Sequence, residues 1–207
     1  MPKVLILGAG KIGALISGLL AESGSYEVHL ADMSGEAANA VVNAHRFQNL
    51  HAHELDATDS AALDAHLKNH PVDAVISGLP YYCNIAVAEA ARRAGTSYFD
   101  LTEDVEVTRA VRKIAAGAKQ AFVPQCGLAP GFISIAANEL IGHFDELRTV
   151  KLRVGALPQH PNNVLKYSLT FAGLATPTLR NSVAPQASAD SAGTLTSNMT
   201  YAPAPGL

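Results

Sequence analysis

The chain has 207 residues, 48% hydrophobic and 16% charged, the composition of a globular protein with a buried core and not of a disordered one. That length exceeds one average domain and falls short of two, so a complete core followed by a partial second unit is expected. A formal net charge of −3 gives no footprint for nucleic acid, and no charged leader, cleavage site or long apolar segment is readable, which predicts a cytoplasmic protein without a membrane partner.

Residues 3–8 are a continuous apolar run of buried-strand length, and Ile12, Leu15, Ile16, Leu19 and Leu20 follow at helical spacing until Gly24. The pattern recurs as a strand near 26–31, a helix near 34–44, a weaker strand near 51–56 and a helix over 59–69 ended by His70-Pro71. "DAVISGL" (73–79) reads as a buried strand, 82–94 as an alanine-rich helix closed by Gly95, and "YFDL" (98–101) as a short strand. Val107, Val111, Ile114, Ala115 and Ala118 mark another helix, and "AFVPQ" (121–125) a sixth strand. Alternating helices and buried-type strands imply a doubly wound parallel sheet of the Rossmann type, occupying residues 1–127.

Beyond it, Ile133, Ala136, Ala137, Leu140 and Phe144 give a helical stripe and 147–157 alternates like a strand, the start over 128–171 of a mixed α/β second domain. From about Ala172 the chain turns to alanine, serine, threonine, proline and glycine with no sustained period, so 172–207 is expected to be a divergent low-complexity tail, either flexible or the mark of a truncation or frame change.

"GAGKIG" places Gly8, Gly10 and Gly13 between the first strand and the first helix, the context that gives this spacing meaning. Gly8 permits the turn, Gly10 lets the backbone approach a pyrophosphate, and Gly13 lets helix and strand pack, with the diphosphate at the positive helix end. Lys11 and Ile12 complete that contact. Asp32 ends the second strand where a carboxylate accepts from ribose hydroxyls and repels a 2′-phosphate. No arginine or lysine occupies 33–36, so with Met33 beside it the site favours NAD over NADP. Asp56 and Ala57 after the third strand, and Ser77, Gly78, Leu79 and Pro80 after the fourth, lie at the ligand-binding edge, although Asp56 or Thr58 equally suits a helix cap.

Together, "VLILGAGKIG", "LDATDSAALDAHL", "DAVISGLPYY", "CGLAPGF" and "LRVGALPQHPNNVLKYSLT" resemble the saccharopine dehydrogenase family, in particular its bacterial branch, which includes carboxynorspermidine dehydrogenase-like enzymes. The resemblance runs to about Thr170. It implies a substrate domain after the Rossmann domain, and a pyridine-nucleotide-linked oxidoreductase acting reversibly on the C–N bond of an amino-acid-type secondary amine or imine. Fungal members carry a tyrosine after the fifth strand, an aspartate inside GLxPG and a cysteine before the GALP-like segment. Glu103, Ala129 and Val154 stand at those places here, so the fungal acid–base arrangement does not carry over.

Cys126 and Glu103 are the catalytic candidates, each with a bland alternative. A cysteine at a strand end is most often a small apolar residue, and Glu103 with Asp104 also suits a first helical turn. Gly127, Leu128, Pro130 and Gly131 form a candidate anion cradle, and Asn163, Lys166 and Tyr167 match the family's substrate segment, Tyr167 with a structural role equally open. His51 and His53 share a strand face but lack a third ligand at a recognisable spacing, and the two cysteines are too far apart to help, so no metal is expected. A non-catalytic NAD-binding or sensing module is the alternative function. Homo-oligomerisation stays open.

Overall fold

The computed structural model describes residues 1–146, 149–154, 186–189 and 195–199, and the chain divides into two units, Met1–Cys126 and Gly127–Leu207. The first unit begins with β1 (Lys3–Leu7), α1 (Lys11–Glu22), β2 (Glu27–Asp32), α2 (Gly35–His45), β3 (Leu50–Glu54) and α3 (Ser60–Asn69). It continues with β4 (Ala74–Ser77), α4 (Asn84–Ala94), β5 (Ser97–Asp100), α5 (Val105–Ile114) and β6 (Phe122–Val123). A turn of 3-10 helix, Tyr81–Cys83, leads from Pro80 into α4. All six strands are parallel, in the order β3-β2-β1-β4-β5-β6. The winding direction reverses between β1 and β4, which opens a crevice beyond their carboxyl ends.

Alternate residues of the central strands serve opposite faces. Val4, Ile6, Val28 and Leu30 pack with α1 and α2 residues such as Ile16, Leu20 and Val41, while Leu5, Leu7, Ala31 and Val75 pack with Leu63, Leu67, Val87 and Val111 from α3, α4 and α5. Strands covered on both faces read as continuous apolar runs, which is why they were legible.

The helix stripes were less faithful. On α1 the fully buried positions are Gly13, Ser17, Gly18 and Ala21, whereas Ile12, Leu15 and Leu19 are 52%, 56% and 58% exposed. Close approach of this helix to the sheet selects small side chains at the contact, pushing the larger apolar ones to the flanks or out to solvent. The helix starts follow side-chain capping: Ser34 accepts from Ala37 N–H, Asp59 from Ala61 and Ala62, and Asp104 from Val107. Neither Asp56 nor Thr58 caps α3. Thr58 instead donates to Asp56 through its backbone N–H at 2.9 Å and its hydroxyl at 2.6 Å. β3 ends at Glu54 and not at 56, and β6 is only two residues long because Pro124 has no N–H to continue the ladder.

In the second unit, α6 spans Phe132–Ile141 where 133–144 was expected, and β7 is Val150–Val154 where 147–157 was. No residue of α6 is fully buried, and Phe132, Ile135 and Leu140 are exposed. β8 (Gln186–Ala189) and β9 (Leu195–Met199) join β7 in an antiparallel sheet of order β7-β9-β8. Both strands fall within 172–207, where the sequence has no sustained period. The pairing is made by backbone groups between distant segments, and a run of small and β-branched residues permits it without an apolar period. Among the described residues no helix is long and apolar enough to cross a membrane.

Candidate functional site

The turn after β1 is built by exclusion. Gly8 has φ +99°, and a Cβ placed on Gly13 would collide with the carbonyl oxygen of Gly8, so the start of α1 presses directly on the turn. Gly10 is different: its φ of −69° suits any residue, and a Cβ there would project into open space, the space a diphosphate needs beside the backbone. Having no side chain, Gly10 also provides no cap, so the amides of the first helical turn and the positive end of the helix are left for an anion. Lys11 and Ile12 begin that turn with exposed side chains.

Asp32 closes the other side. Its Oδ2 accepts from Ala9 N–H at 2.7 Å and its Oδ1 from Ser34 N–H at 2.9 Å. These bonds fix the carboxylate against the glycine turn, and each oxygen retains a lone pair for a ribose hydroxyl. Met33 is exposed beside it, and Glu36 is in the first turn of α2. The segment after β4 completes the crevice: Gly78 N–H donates to Leu7 O at 2.9 Å, and a Cβ on Gly8 would lie 3.3 Å from Gly78 O. Ser77 is buried and donates to Asn84 Oδ1 at 2.7 Å, so it supports the wall from behind, while Gly78 and Leu79 are partly exposed and Pro80 is exposed. After β3, Ala57 is buried in the core and Asp56 is exposed.

The family model described as the saccharopine dehydrogenase NADP binding domain matches residues 4–124, more than half of the chain. The chain belongs to the saccharopine dehydrogenase family. This part of it is accordingly a nicotinamide-dinucleotide-binding domain of the dehydrogenase type. Among solved structures, the chain is similar to saccharopine dehydrogenase (L-Glu forming) from Saccharomyces cerevisiae, at 24% identity and a TM-score of 0.62, over 82% of this chain and 38% of that one. A myo-inositol dehydrogenase from Corynebacterium glutamicum is similar at 19% identity and a TM-score of 0.57, over 80% of this chain and 49% of the other. At these identities the likeness concerns the fold. The chain spans less than half the length of either.

Glu103 is partly exposed between β5 and α5, and burial raises its carboxyl above the usual range. Of the two adjacent acids, Asp104 is the one that caps α5. Cys126 is exposed at the end of the first unit, and its thiol donates to Val123 O at 3.2 Å. Burial, and then the nearby Asp100 carboxylate, raise its thiol above the usual range, which disfavours the nucleophilic thiolate.

Asp100 was missed by sequence reasoning. Fully buried at the end of β5, its Oδ1 accepts from Thr102 N–H at 2.9 Å and Gln125 N–H at 3.2 Å, and its Oδ2 from the Tyr98 hydroxyl at 2.8 Å. Cys126 N–H donates to Asp100 O at 2.7 Å, so one residue anchors the whole approach to the glycine-proline loop. The signal was a carboxylate inside the apolar "YFDL".

In the second unit the loop residues Gly127, Leu128, Pro130 and Gly131 form a closed turn. Phe132 N–H donates to Gly127 O at 2.8 Å and Ile133 N–H to Leu128 O at 3.0 Å, and a Cβ on Gly131 would collide with Gly127. These first-turn amides of α6 are therefore used by the loop itself. That narrows the expected anion cradle, because the helix end does not present them outward. Asn163, Lys166 and Tyr167 lie outside the described residues.

Histidine is the other feature that tertiary structure reveals. The register pairs His29 with His51 and Ala31 with His53, which puts His29, His51 and His53 on one face of β2 and β3. His66, in the last turn of α3, and His70, its C-cap, meet that face: ring centroids lie 5.1 Å apart for His53–His66, 5.3 Å for His53–His70 and 4.8 Å for His66–His70. Desolvation and the neighbouring imidazoles push His29 and His66 down to about 4 and lower His53. His51 is outside this cluster, and both partners of His53 are supplied by α3 and its C-cap.

Proposed function

We propose that this domain binds NAD in preference to NADP and serves an oxidoreductase that moves hydride reversibly between the nicotinamide and the carbon of a C–N bond in an amino-acid-type secondary amine or imine. The observation that carries the cofactor half is the Asp32 carboxylate held by Ala9 N–H against a turn whose Gly10 leaves room for a diphosphate. With Met33, Ser34, Gly35 and Glu36 following, no cation is present in that segment to neutralise a 2′-phosphate, and two carboxylates repel it. The substrate half is supported by the family membership and the motif sequences "CGLAPGF" and "GALPQHP".

When bound, the nicotinamide supplies the hydride chemistry. The domain's own residues bind and orient it. Gly10, Lys11 and Ile12 would hold the diphosphate, Asp32 the adenosine ribose, and Gly78 and Leu79 the wall of the crevice. Glu103 and Cys126 are the candidate proton carriers, and burial favours the protonated form of each. Gly127 to Gly131, with Asn163, Lys166 and Tyr167, would belong to the substrate side.

Calorimetric titration of the chain with NADH and NADPH tests the cofactor reading: tighter NADH binding is expected, and no binding of either dinucleotide overturns it. Adding NAD with N-(carboxyalkyl) amino acids and following NADH fluorescence tests the chemistry. NADH formation with simple 2-hydroxy acids but with no secondary amine would sink the substrate assignment.

A further inference from the structure

Outside the dinucleotide crevice, the side chains with the most concentrated unused chemistry are the histidines between β3 and α3. One ring nitrogen from each of His53, His66 and His70 lies within 4.8 Å of the other two. His66 Nε2 is buried and has no hydrogen-bond partner among the described residues. His53 and His66 are half-buried and His70 is exposed, so the triad opens to solvent through one ligand.

The geometry points to a binding site for one divalent transition-metal ion of the zinc class, held by His53, His66 and His70 with a water in the remaining position. Imidazole donors without carboxylates select this class over magnesium or calcium, which require oxygen ligands. Nitrogens at about 2.0–2.1 Å from a tetrahedral Zn²⁺ are about 3.3 Å apart, so the rings need to draw together by up to about 1.5 Å. Rotation of the exposed His70 and of the His66 side chain in the last turn of α3 can supply that.

The surroundings are those of a supported ligand set. His53 Nε2 lies 2.9 Å from His29 Nδ1, and His29 Nε2 lies 3.5 Å from Glu27 Oε1. Coordination through His53 Nδ1 would leave its Nε2 protonated to donate to His29 Nδ1, while His29 Nε2, near the Glu27 carboxylate, makes no hydrogen bond. A metal-bound imidazole that donates its other ring N–H to a neighbouring acceptor is oriented by that bond. The ion would tie the end of α3 to β3, the edge strand of the sheet, which otherwise has a neighbour on one side only.

The test is calorimetric titration of the untagged full chain with Zn²⁺, with Co²⁺ absorption to report coordination. One ion per chain, a tetrahedral Co²⁺ spectrum and a raised thermal transition are expected. His70→Gln changes an exposed side chain and should keep the fold while lowering affinity by at least about tenfold, as should His66→Gln. His143→Gln and Cys126→Ser should leave binding unchanged. Absence of stoichiometric binding, or binding that persists in a folded His66→Gln/His70→Gln chain, overturns the site. Circular dichroism of each metal-free variant establishes that it is folded, and His70→Gln alone decides the matter if His66→Gln is not.

Discussion

The Oδ2 of Asp32 accepts the backbone N–H of Ala9 at 2.7 Å, so the residue at the end of β2 is fastened to the turn that follows β1. One carboxylate thereby shapes the nucleotide crevice and presents its remaining lone pairs to it. Replacement by alanine should weaken NADH binding by about tenfold or more, the loss of hydrogen bonds to a charged acceptor. NADPH should lose less, because repulsion of its 2′-phosphate is relieved at the same time. The ratio of the two calorimetric dissociation constants checks this, and an unchanged ratio contradicts it.

Two glycines of the same turn should separate stability from binding. Gly13→Ala forces a Cβ onto the Gly8 carbonyl and should destabilise the fold by about 3 kcal/mol in urea titrations. Gly10→Ala has an ordinary φ and open space, so it should change stability by less than about 0.5 kcal/mol yet weaken dinucleotide binding. Equal effects of both substitutions on stability would contradict the geometry.

The buried Asp100 predicts a pH dependence. Burial raises its carboxyl above the ordinary value despite the hydrogen bonds from Thr102, Tyr98 and Gln125. The folded state therefore binds this proton more tightly than the unfolded state. The associated stability is fully present below the ordinary carboxylate range and is lost as pH rises through the raised folded value. Asp100→Asn can keep the two N–H bonds at its oxygen, with the Tyr98 hydroxyl turning to accept. The stability of this variant relative to wild type should increase from pH 4 to pH 7, as read by denaturation at each pH.

Glu103 and Asp104 should respond oppositely. Asp104→Ala removes the acceptor of Val107 N–H and should cost about 1 kcal/mol. Glu103→Gln removes a charge that burial disfavours and should leave thermal stability unchanged or slightly higher. A large loss of stability in Glu103→Gln would assign it a structural role instead of the proton-carrying one.

Much of the first unit follows from its amino-acid sequence. Strands buried on both faces must be apolar throughout, and a turn pressed between strand and helix admits only glycine at Gly8 and Gly13, so both signals are local and survive reading one residue at a time. The exposed Ile12, Leu15 and Leu19, the antiparallel pairing of β8 and β9, and the burial of Asp100 depend on which surfaces meet, and no local period encodes that. The histidines show the division most clearly. The four-residue spacing of His66 and His70 is visible in the chain, as is the two-residue spacing of His51 and His53. Only the fold of the β3–α3 connection brings His53 to His66 and His70, because ligand geometry is a relation between elements and periodicity is a property of one.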